Sequence, residues 1–444
     1  MKEIKKQDRR FGRIIGAQTI QSGKEYQLSR FAVQKESDRY LYLFHTFTHQ
    51  CLQLEKTVLK ESVSSEELTG RPDLETMVKN WFYVEKGTDE NEFYYGFWRI
   101  LRTLESKSGY YNYILYPTNG CNARCVYCIH EEMQHKSMTE ETALQTAKFI
   151  AETHRKNETI VLFWFGGEPL LGEKKIDLIS DYLREHQVPF SGTMLTNGSL
   201  INSRILQKMK ERWNIHTVQV SMDAGEAEYI RRKNYYSYHD EYCSVMKNVN
   251  ALNENGIATY VRCNVDWDNV EEGAGFLRDL KKEVKDPSKV VVYFEPLVET
   301  RGREDSPLLW EKTYELDRLV KEEGFSRQFS DLPSHILPFY CSFDGASGRI
   351  TVAQDGKLYG CHDCIPNALY GDVRNGIVEQ ENWKKSNELC EIRKKCQDCP
   401  YLPLCTPFSR CPHEEEDCKE KPRRVVTQGF ENLIARIESA PESK

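Results

Sequence analysis

The chain of 444 residues lacks any apolar run approaching the ~18 residues that a membrane span requires. Its opening, MKEIKKQDRR, lacks the apolar stretch of a secretory signal, so a cytoplasmic protein is expected. A basic excess is missing too: the net charge is −7 and the pI is near 6.0. That balance argues against a nucleic-acid partner, which normally leaves a basic footprint. The short runs Arg231-Arg232-Lys233 and Arg423-Arg424 read as solvated faces rather than phosphate sites. No internal repeat or low-complexity linker is visible. Hydrophobic residues at 39% and charged ones at 29% describe an ordinary soluble protein.

Cysteine is abundant. Fifteen cysteines, an odd number, make a disulfide framework a poor explanation in a chain without an export signal, and metal ligation a better one. Cys121, Cys125 and Cys128 form a C-x3-C-x2-C triplet in PTNGCNARCVYC, directly after the apolar stretch YNYILYP. A four-iron cluster takes four ligands, so a loop supplying three thiolates leaves one iron open. The alternative is zinc, which wants four N/S ligands, usually from paired knuckles, and this loop has no such partner nearby.

From about residue 111 apolar strands alternate with amphipathic helices. YNYILYPT, IVLFWFG, FSGTMLT, TVQVSMD, ATYVRCNV and VVVYFEP are the strands, and Thr139 is a candidate N-cap with Glu140 and Glu141 in the first turn. This pattern predicts an α/β fold with a parallel sheet and helical crossovers. Six units rather than eight suggest an open, partial (β/α)6 barrel. Before it, residues 1–105 read as antiparallel strands in YQLSRFAVQ and RYLYLFHTFTHQCLQLE, followed by helical pieces around 64–80. After it, residues 331–444 are loop-rich, hold most of the remaining cysteines and end in a helix at VVTQGFENLIARIES.

The cysteine loop, with Tyr127 in its aromatic place, resembles that of the radical S-adenosylmethionine enzymes. The resemblance implies a cluster on Cys121, Cys125 and Cys128 whose open iron is chelated by S-adenosylmethionine. It also implies a 5'-deoxyadenosyl radical and an electron donor such as flavodoxin or ferredoxin. Gly166-Gly167-Glu168-Pro169, after the second strand, is similar to the family's GGEP turn, which holds the amino group of S-adenosylmethionine. The same likeness makes Asn197, in Thr196-Asn197-Gly198, and Ser221, Arg262 and Asn264 candidate cofactor contacts at strand ends. Asp223 as a loop cap and Arg262 as partner of a structural acid remain open.

Cys341, Gly356 and Cys361, then C-x2-C-x5-C at Cys396, Cys399 and Cys405, then Cys411 and Cys418, resemble the SPASM extension that binds two auxiliary [4Fe–4S] clusters. Five residues rather than three separate Cys405 from Cys411. The resemblance implies Cys341, Cys361 and Cys411 on the first auxiliary cluster, with His335, Cys364 or a substrate thiol as the fourth ligand. Cys396, Cys399, Cys405 and Cys418 fall to the second. A pair of zinc sites is the alternative. Cys51, Cys243, Cys263 and Cys390 read as ordinary buried thiols. Residues 1–105 resemble a winged-helix-like leader-recognition domain, with a simple barrel cap as the alternative, and residues 106–330 would be the barrel. Together these likenesses imply a three-domain maturase of a ribosomally made precursor peptide with a leader, forming a cysteine thioether. Formylglycine formation, as in anaerobic sulfatase maturases, and a non-catalytic iron–sulfur or zinc scaffold are the competing readings.

Overall fold

The structure is a computed structural model and describes residues 1–6, 9–56, 59–68, 70–105, 109–128, 136–236, 241–297, 306–327, 332, 348–362, 368–387, 391–392, 394–404 and 420–438. The chain divides into two compact units. One comprises Met1–Ser106, Phe329–Cys341 and Leu389–Lys444, and the other Lys107–Gln328 and Ser342–Glu388.

The first unit begins with β1 (Lys2–Lys5), α1 (Arg9–Ile14), β2 (Glu25–Leu28), β3 (Ala32–Glu36), β4 (Leu41–His45) and β5 (Cys51–Leu54). It continues through β6 (Ser62–Ser64), α2 (Ser65–Leu68), α3 (Pro72–Lys79), β7 (Tyr83–Glu85) and α4 (Glu90–Glu105). The order β1-β5-β4-β3 makes an antiparallel four-stranded sheet, and β6-β2-β7 a three-stranded one. LYLFH in β4 is buried at every position because its two-residue alternation faces two cores. Leu41 and Leu43 pack with Leu74 and Met77 of α3. Tyr42 and Phe44 pack instead with Leu404, Val426 and Phe430.

The N-terminal segment therefore shares one of its cores with the end of the chain. This differs from the expected self-contained domain at 1–105, because a strand buried at every position, such as β4, needs cover on both faces. The antiparallel strands and the helical pieces near 64–80 are present as expected.

The second unit runs β8 (Asn112–Thr118), α5 (Glu140–Thr153), β9 (Ile160–Gly166), α6 (Glu173–Glu185), β10 (Phe190–Thr196), α7 (Ser203–Glu211) and β11 (Ile215–Asp223). Next come α8 (Glu226–Lys233), α9 (Glu241–Glu254), β12 (Ala258–Val265), α10 (Gly273–Glu283), β13 (Val290–Pro296), α11 (Ser306–Glu322) and β14 (Ser326–Arg327). Then follow β15 (Arg349–Val352), β16 (Lys357–Tyr359), β17 (Leu369–Asp372), β18 (Gly376–Ile377) and α12 (Gln380–Asn387), and α13 (Glu420–Glu438) belongs to the first unit.

β8 to β13 are parallel neighbours in sequence order, the arrangement that crossover helices impose. The sheet extends beyond the six expected units. β14 joins β13, while β15 returns parallel to β8 and carries the antiparallel ribbon β16 to β18. Part of the region expected as a separate, loop-rich 331–444 domain thus completes the sheet, because the short strand Arg349–Val352, in which Ile350 and Val352 are buried, pairs with the open edge of β8. Thr139 caps α5 as anticipated, its side chain accepting the Thr142 N–H at 3.0 Å. Along β9, Ile160, Leu162 and Trp164 are buried in the helix-covered core, while Val161, Phe163 and Phe165 on the opposite face are only half-buried. No helix among the described residues is long and apolar enough to cross a membrane.

A titratable group is locked into the first unit. His45 is buried, with Nδ1 accepting the Thr48 N–H at 3.1 Å and its ring edge-on to Phe82 at 5.4 Å. Burial lowers its pKa from 6.5 to about 3. Between those values the unfolded chain binds the proton and the folded chain does not, so stability falls as pH drops from about 6.5 toward 3. At pH ~5 the loss is about 2 kcal/mol by linkage. Urea unfolding at neutral and mildly acidic pH should show wild type losing that much more than His45→Gln; equal losses would assign the titration elsewhere.

Candidate active site at the strand ends

β8 ends at Thr118, and the cysteine loop begins two residues later. Its neck is tied, since Thr118 Oγ1 accepts the Gly120 N–H at 2.9 Å, while Asn119 N–H donates to the Lys136 carbonyl and Asn119 Oδ1 accepts the Lys136 N–H. The next strand approaches this neck closely. A Cβ on Gly166, whose φ is +119°, would stand 2.3 Å from the Thr118 carbonyl oxygen, and one on Gly167 would stand 2.2 Å from that of Gly120. Only glycine fits either position. The Glu168 N–H then donates to the Gly120 carbonyl at 2.9 Å, and Pro169 opens a single 3-10 turn, Pro169–Gly172.

The far side of the loop is held by the segment that follows α8. Asn234, in the left-handed conformation at φ +46°, ends that helix as asparagine often does. The chain then runs antiparallel to the loop: Arg124 N–H donates to the Lys233 carbonyl at 3.0 Å, Val126 N–H to that of Arg232, and Tyr236 N–H to that of Asn122. Cys121 and Cys125 are half-buried and Cys128 is exposed. Asn197 Nδ2 points at Cys121 Sγ at 3.8 Å while donating to Asn122 Oδ1 at 2.8 Å.

Glu168 is fully buried. Its Oε1 accepts from Thr196 Oγ1 at 2.8 Å and Leu170 N–H at 3.1 Å, and its Oε2 from Asn197 N–H at 2.8 Å. Burial pushes its carboxyl up to about 6 against those hydrogen bonds. The carboxylate thus locks the end of β10 to the GGEP turn, and Oε2 keeps acceptor capacity for a further donor.

The other candidates form one chain of contacts. Tyr127 OH donates to Asp223 Oδ2 at 2.6 Å, Asn264 Nδ2 donates to Tyr127 OH at 3.3 Å, and Arg262 Nε donates to Asn264 Oδ1 at 3.0 Å. Register explains the alignment, since Ser221 lies beside Arg262 and Asp223 beside Asn264. Asp223 neither caps a loop nor stays idle; its other oxygen, Oδ1, is buried with no partner among the described residues.

Ser221 Oγ accepts from Lys233 Nζ at 2.6 Å, and Nζ lies 3.7 Å from Asp223 Oδ2 and 5.7 Å from the centre of the Tyr127 ring. The expectation that Arg231-Arg232-Lys233 is a solvated run is corrected here. Arg231 is exposed, but Arg232 and Lys233 are each 1% exposed. Helical geometry splits the run, because positions 229, 232 and 233 share a face and Tyr229 turns that face inward. That spacing was the signal in the sequence. Burial works to lower the Lys233 pKa, but the fields of Tyr127, Cys125 and Asp223 outweigh it and hold the ammonium well above its usual value.

Three thiols on one clamped loop, with an N–H aimed at one sulfur, suit a cluster. Among the described residues no three His, Cys, Asp or Glu side chains converge on a single-ion site. A cubane takes each thiolate on a separate iron and does not need that convergence. Burial pushes the Cys121 thiol up to about 11 and raises that of Cys125, so metal binding would release protons.

Of the C-terminal candidates, Cys361 lies in this unit and is buried, next to His362, whose carbonyl accepts the Tyr116 hydroxyl. Cys396 and Cys399 lie in the first unit on one turn, Cys399 N–H donating to the Cys396 carbonyl at 3.1 Å. Both are buried in an aromatic cluster, which suits a shielded metal–thiolate centre. Cys341, Cys364, Cys405, Cys411, Cys418 and His335 lie outside the described residues, as does Cys390. Cys51 and Cys263 are buried and Cys243 is half-buried.

Removing the Lys233 charge should leave the buried Asp223 carboxylate with only the Tyr127 hydroxyl and the field of Arg232 to offset it. Lys233→Met is expected to destabilise the protein by about 3 kcal/mol, and adding Asp223→Asn should recover part of that loss. Urea unfolding of both single variants and the double variant checks the coupling; additive losses would show that the pair does not interact.

Residues 115–276 match the Radical SAM superfamily. An uncharacterized protein from Methanocaldococcus jannaschii is 33% identical over 100 residues, 22% of this chain and 34% of that one, so the chain spans about a third of that relative's length. The structure of native anSMEcpe with bound AdoMet superposes with a TM-score of 0.58 at 17% identity, covering 74% of this chain and 100% of that one. Streptococcus suis SuiB bound to precursor peptide SuiA matches with a TM-score of 0.49 at 13% identity, covering 87% and 96%. The loop of three cysteines held at the carboxyl ends of the parallel sheet lies within residues 115–276, the part of the chain that matches the Radical SAM superfamily.

Proposed function

We propose that the protein is a radical S-adenosylmethionine maturase of a ribosomally made peptide, forming a thioether between a cysteine and a peptide carbon. The reading rests on the loop of Cys121, Cys125 and Cys128, clamped between the GGEP turn and the segment after α8. When bound, the cluster and S-adenosylmethionine supply hydrogen abstraction from an unactivated carbon, and the protein supplies binding, orientation and shielding. Cys121, Cys125 and Cys128 would hold the cluster. Lys233 and Ser221 offer a buried ammonium and a hydroxyl to a carboxylate, and Glu168 Oε2 offers an acceptor to an ammonium. The half-buried face of β9, with Phe163 and Phe165, would exclude water from the reacting carbon.

A peptide substrate is supported by the sequence resemblance of the C-terminal cysteines to SPASM and by the fold. The fold is shared with anSMEcpe, one of whose structures holds AdoMet and a Cp18Cys peptide. The two auxiliary clusters would take Cys341, Cys361 and Cys411, and Cys396, Cys399, Cys405 and Cys418. The three-stranded sheet β6-β2-β7 with α2 and α3 has a core drawn from residues 26–83 and is the element we assign to leader docking. The same fold likeness favours formylglycine formation as a second reading.

Cys125→Ala is expected to abolish 5'-deoxyadenosine production after anaerobic reconstitution, because two thiolates do not hold the cluster; retained production would overturn the assignment. Mass spectrometry of a short cysteine-containing peptide encoded beside the gene separates the outcomes. Loss of two hydrogens with the thiol no longer alkylatable indicates a thioether. The same loss with a free thiol and no aldehyde indicates carbon–carbon crosslinking, while a hydrazide-reactive aldehyde, formed from cysteine with loss of sulfur or from serine with loss of two hydrogens, indicates formylglycine.

A further inference from the structure

The turn carrying Cys396 and Cys399 is gripped by residues far from it in sequence. Thr46 Oγ1 donates to the Pro400 carbonyl at 2.6 Å, just beyond the second cysteine. Asn91 Nδ2 donates to the Gln397 carbonyl at 3.2 Å, between the two cysteines. Asn91 Oδ1 in turn accepts from Arg30 Nη2, so a guanidinium is wired to the turn through a single side chain.

Arg30 is half-buried and fixed at its backbone, since its N–H donates to Glu90 Oε2 at 3.1 Å and the neighbouring Ser29 hydroxyl donates to Glu90 Oε1. Its side chain lies 4.6 Å over the Phe31 ring. Its Nε–H is buried and has no acceptor among the described residues. Burial lowers its pKa, while the fields of Glu90, Asp398, Asp89 and Cys399 act in the other direction, which marks it as a neighbour of the cysteine turn. Around the turn, Phe47 meets Phe11, Tyr94 and Phe97 edge-on at 5.0, 5.1 and 5.0 Å, and these rings share a core with both cysteines.

A half-buried guanidinium whose buried Nε–H has no acceptor among the described residues is thus tied through Asn91 to a turn that carries two buried cysteines. A metal–thiolate cluster on that turn would add negative charge beside it. A four-thiolate cubane carries net negative charge, and its potential is set by the charge and hydrogen bonds around it. A cation nearby favours the more negative, reduced state.

We propose that Arg30 is the charge-compensating positioning residue of an iron–sulfur centre at Cys396 and Cys399, held there by Asn91. The N-terminal segment is then half of that centre's housing as well as a candidate leader-docking element. This rests on the auxiliary-cluster reading of the C-terminal cysteines.

The test uses the full chain, reconstituted anaerobically, with iron and sulfide counted and the midpoint potentials measured by redox titration. The double variant Cys396→Ser, Cys399→Ser is expected to lose the iron of one cluster. Unchanged iron, or loss of zinc instead, would overturn the cluster reading itself. Arg30→Gln should keep the iron content and move one midpoint potential to a lower value, with Arg30→Lys restoring it toward wild type. If Arg30→Gln costs the cluster outright, restoration of iron by Arg30→Lys supports the charge role, and equal loss in both variants overturns it. Normal iron with all potentials unchanged in Arg30→Gln overturns it as well, leaving the cluster reading intact.

Discussion

Lys233 carries a positive charge to a place that water does not reach, and the active end of the sheet is organised around it. A buried ammonium is costly unless it is paired and hydrogen-bonded. Here Ser221 Oγ, the Asp223 carboxylate and the Tyr127 ring provide that environment. These come from the end of β11 and from the cysteine loop, and the lysine itself from the last turn of α8. Solvating one charge therefore fixes three pieces of backbone against one another. The antiparallel hydrogen bonds from Arg124 and Val126 to the carbonyls at 232–234 extend the same alignment along the loop.

The opposite side of the loop is set by close packing instead of charge. Gly166 and Gly167 let β9 pass under the neck at a distance that no side chain would allow. Glu168 then ties the turn to β10 through Thr196 and Asn197. A cysteine loop that must present several sulfurs in a fixed geometry is in this way restrained from both flanks. Its residues need little secondary structure of their own.

Much of this was legible in the sequence. The cysteine triplet, the GGEP turn and the six strand–helix units follow from spacing and from apolar periodicity, which are local properties, and each is found where the pattern puts it. Lys233 was not read correctly, because a run of three basic residues looks solvated until the helical phase of Tyr229 is taken into account. The return of β15 to the edge of β8 was missed for another reason: RITV is too short to announce itself as a strand, and its partner is distant in sequence. The shared core of the N-terminal segment had no local signal beyond the run of four large apolar side chains in LYLF and the aromatic positions along α4. Those patterns say that two faces are covered without saying by what.

That shared core bears on how the chain is made. During synthesis from the N-terminus, Phe11, Phe47 and Phe97 emerge long before Cys396, Cys399 and Leu402, with which they pack. β4 likewise waits for Phe430 to cover one of its faces. The first unit can close only after the whole second unit has been synthesised, so its pairings are long-range and slow to form. In the interval an aromatic surface and a strand meant for burial on both faces are available to wrong partners. The growing chain thus has a window of vulnerability that spans most of its own translation, and a centre on the cysteine turn could assemble only at the end of it.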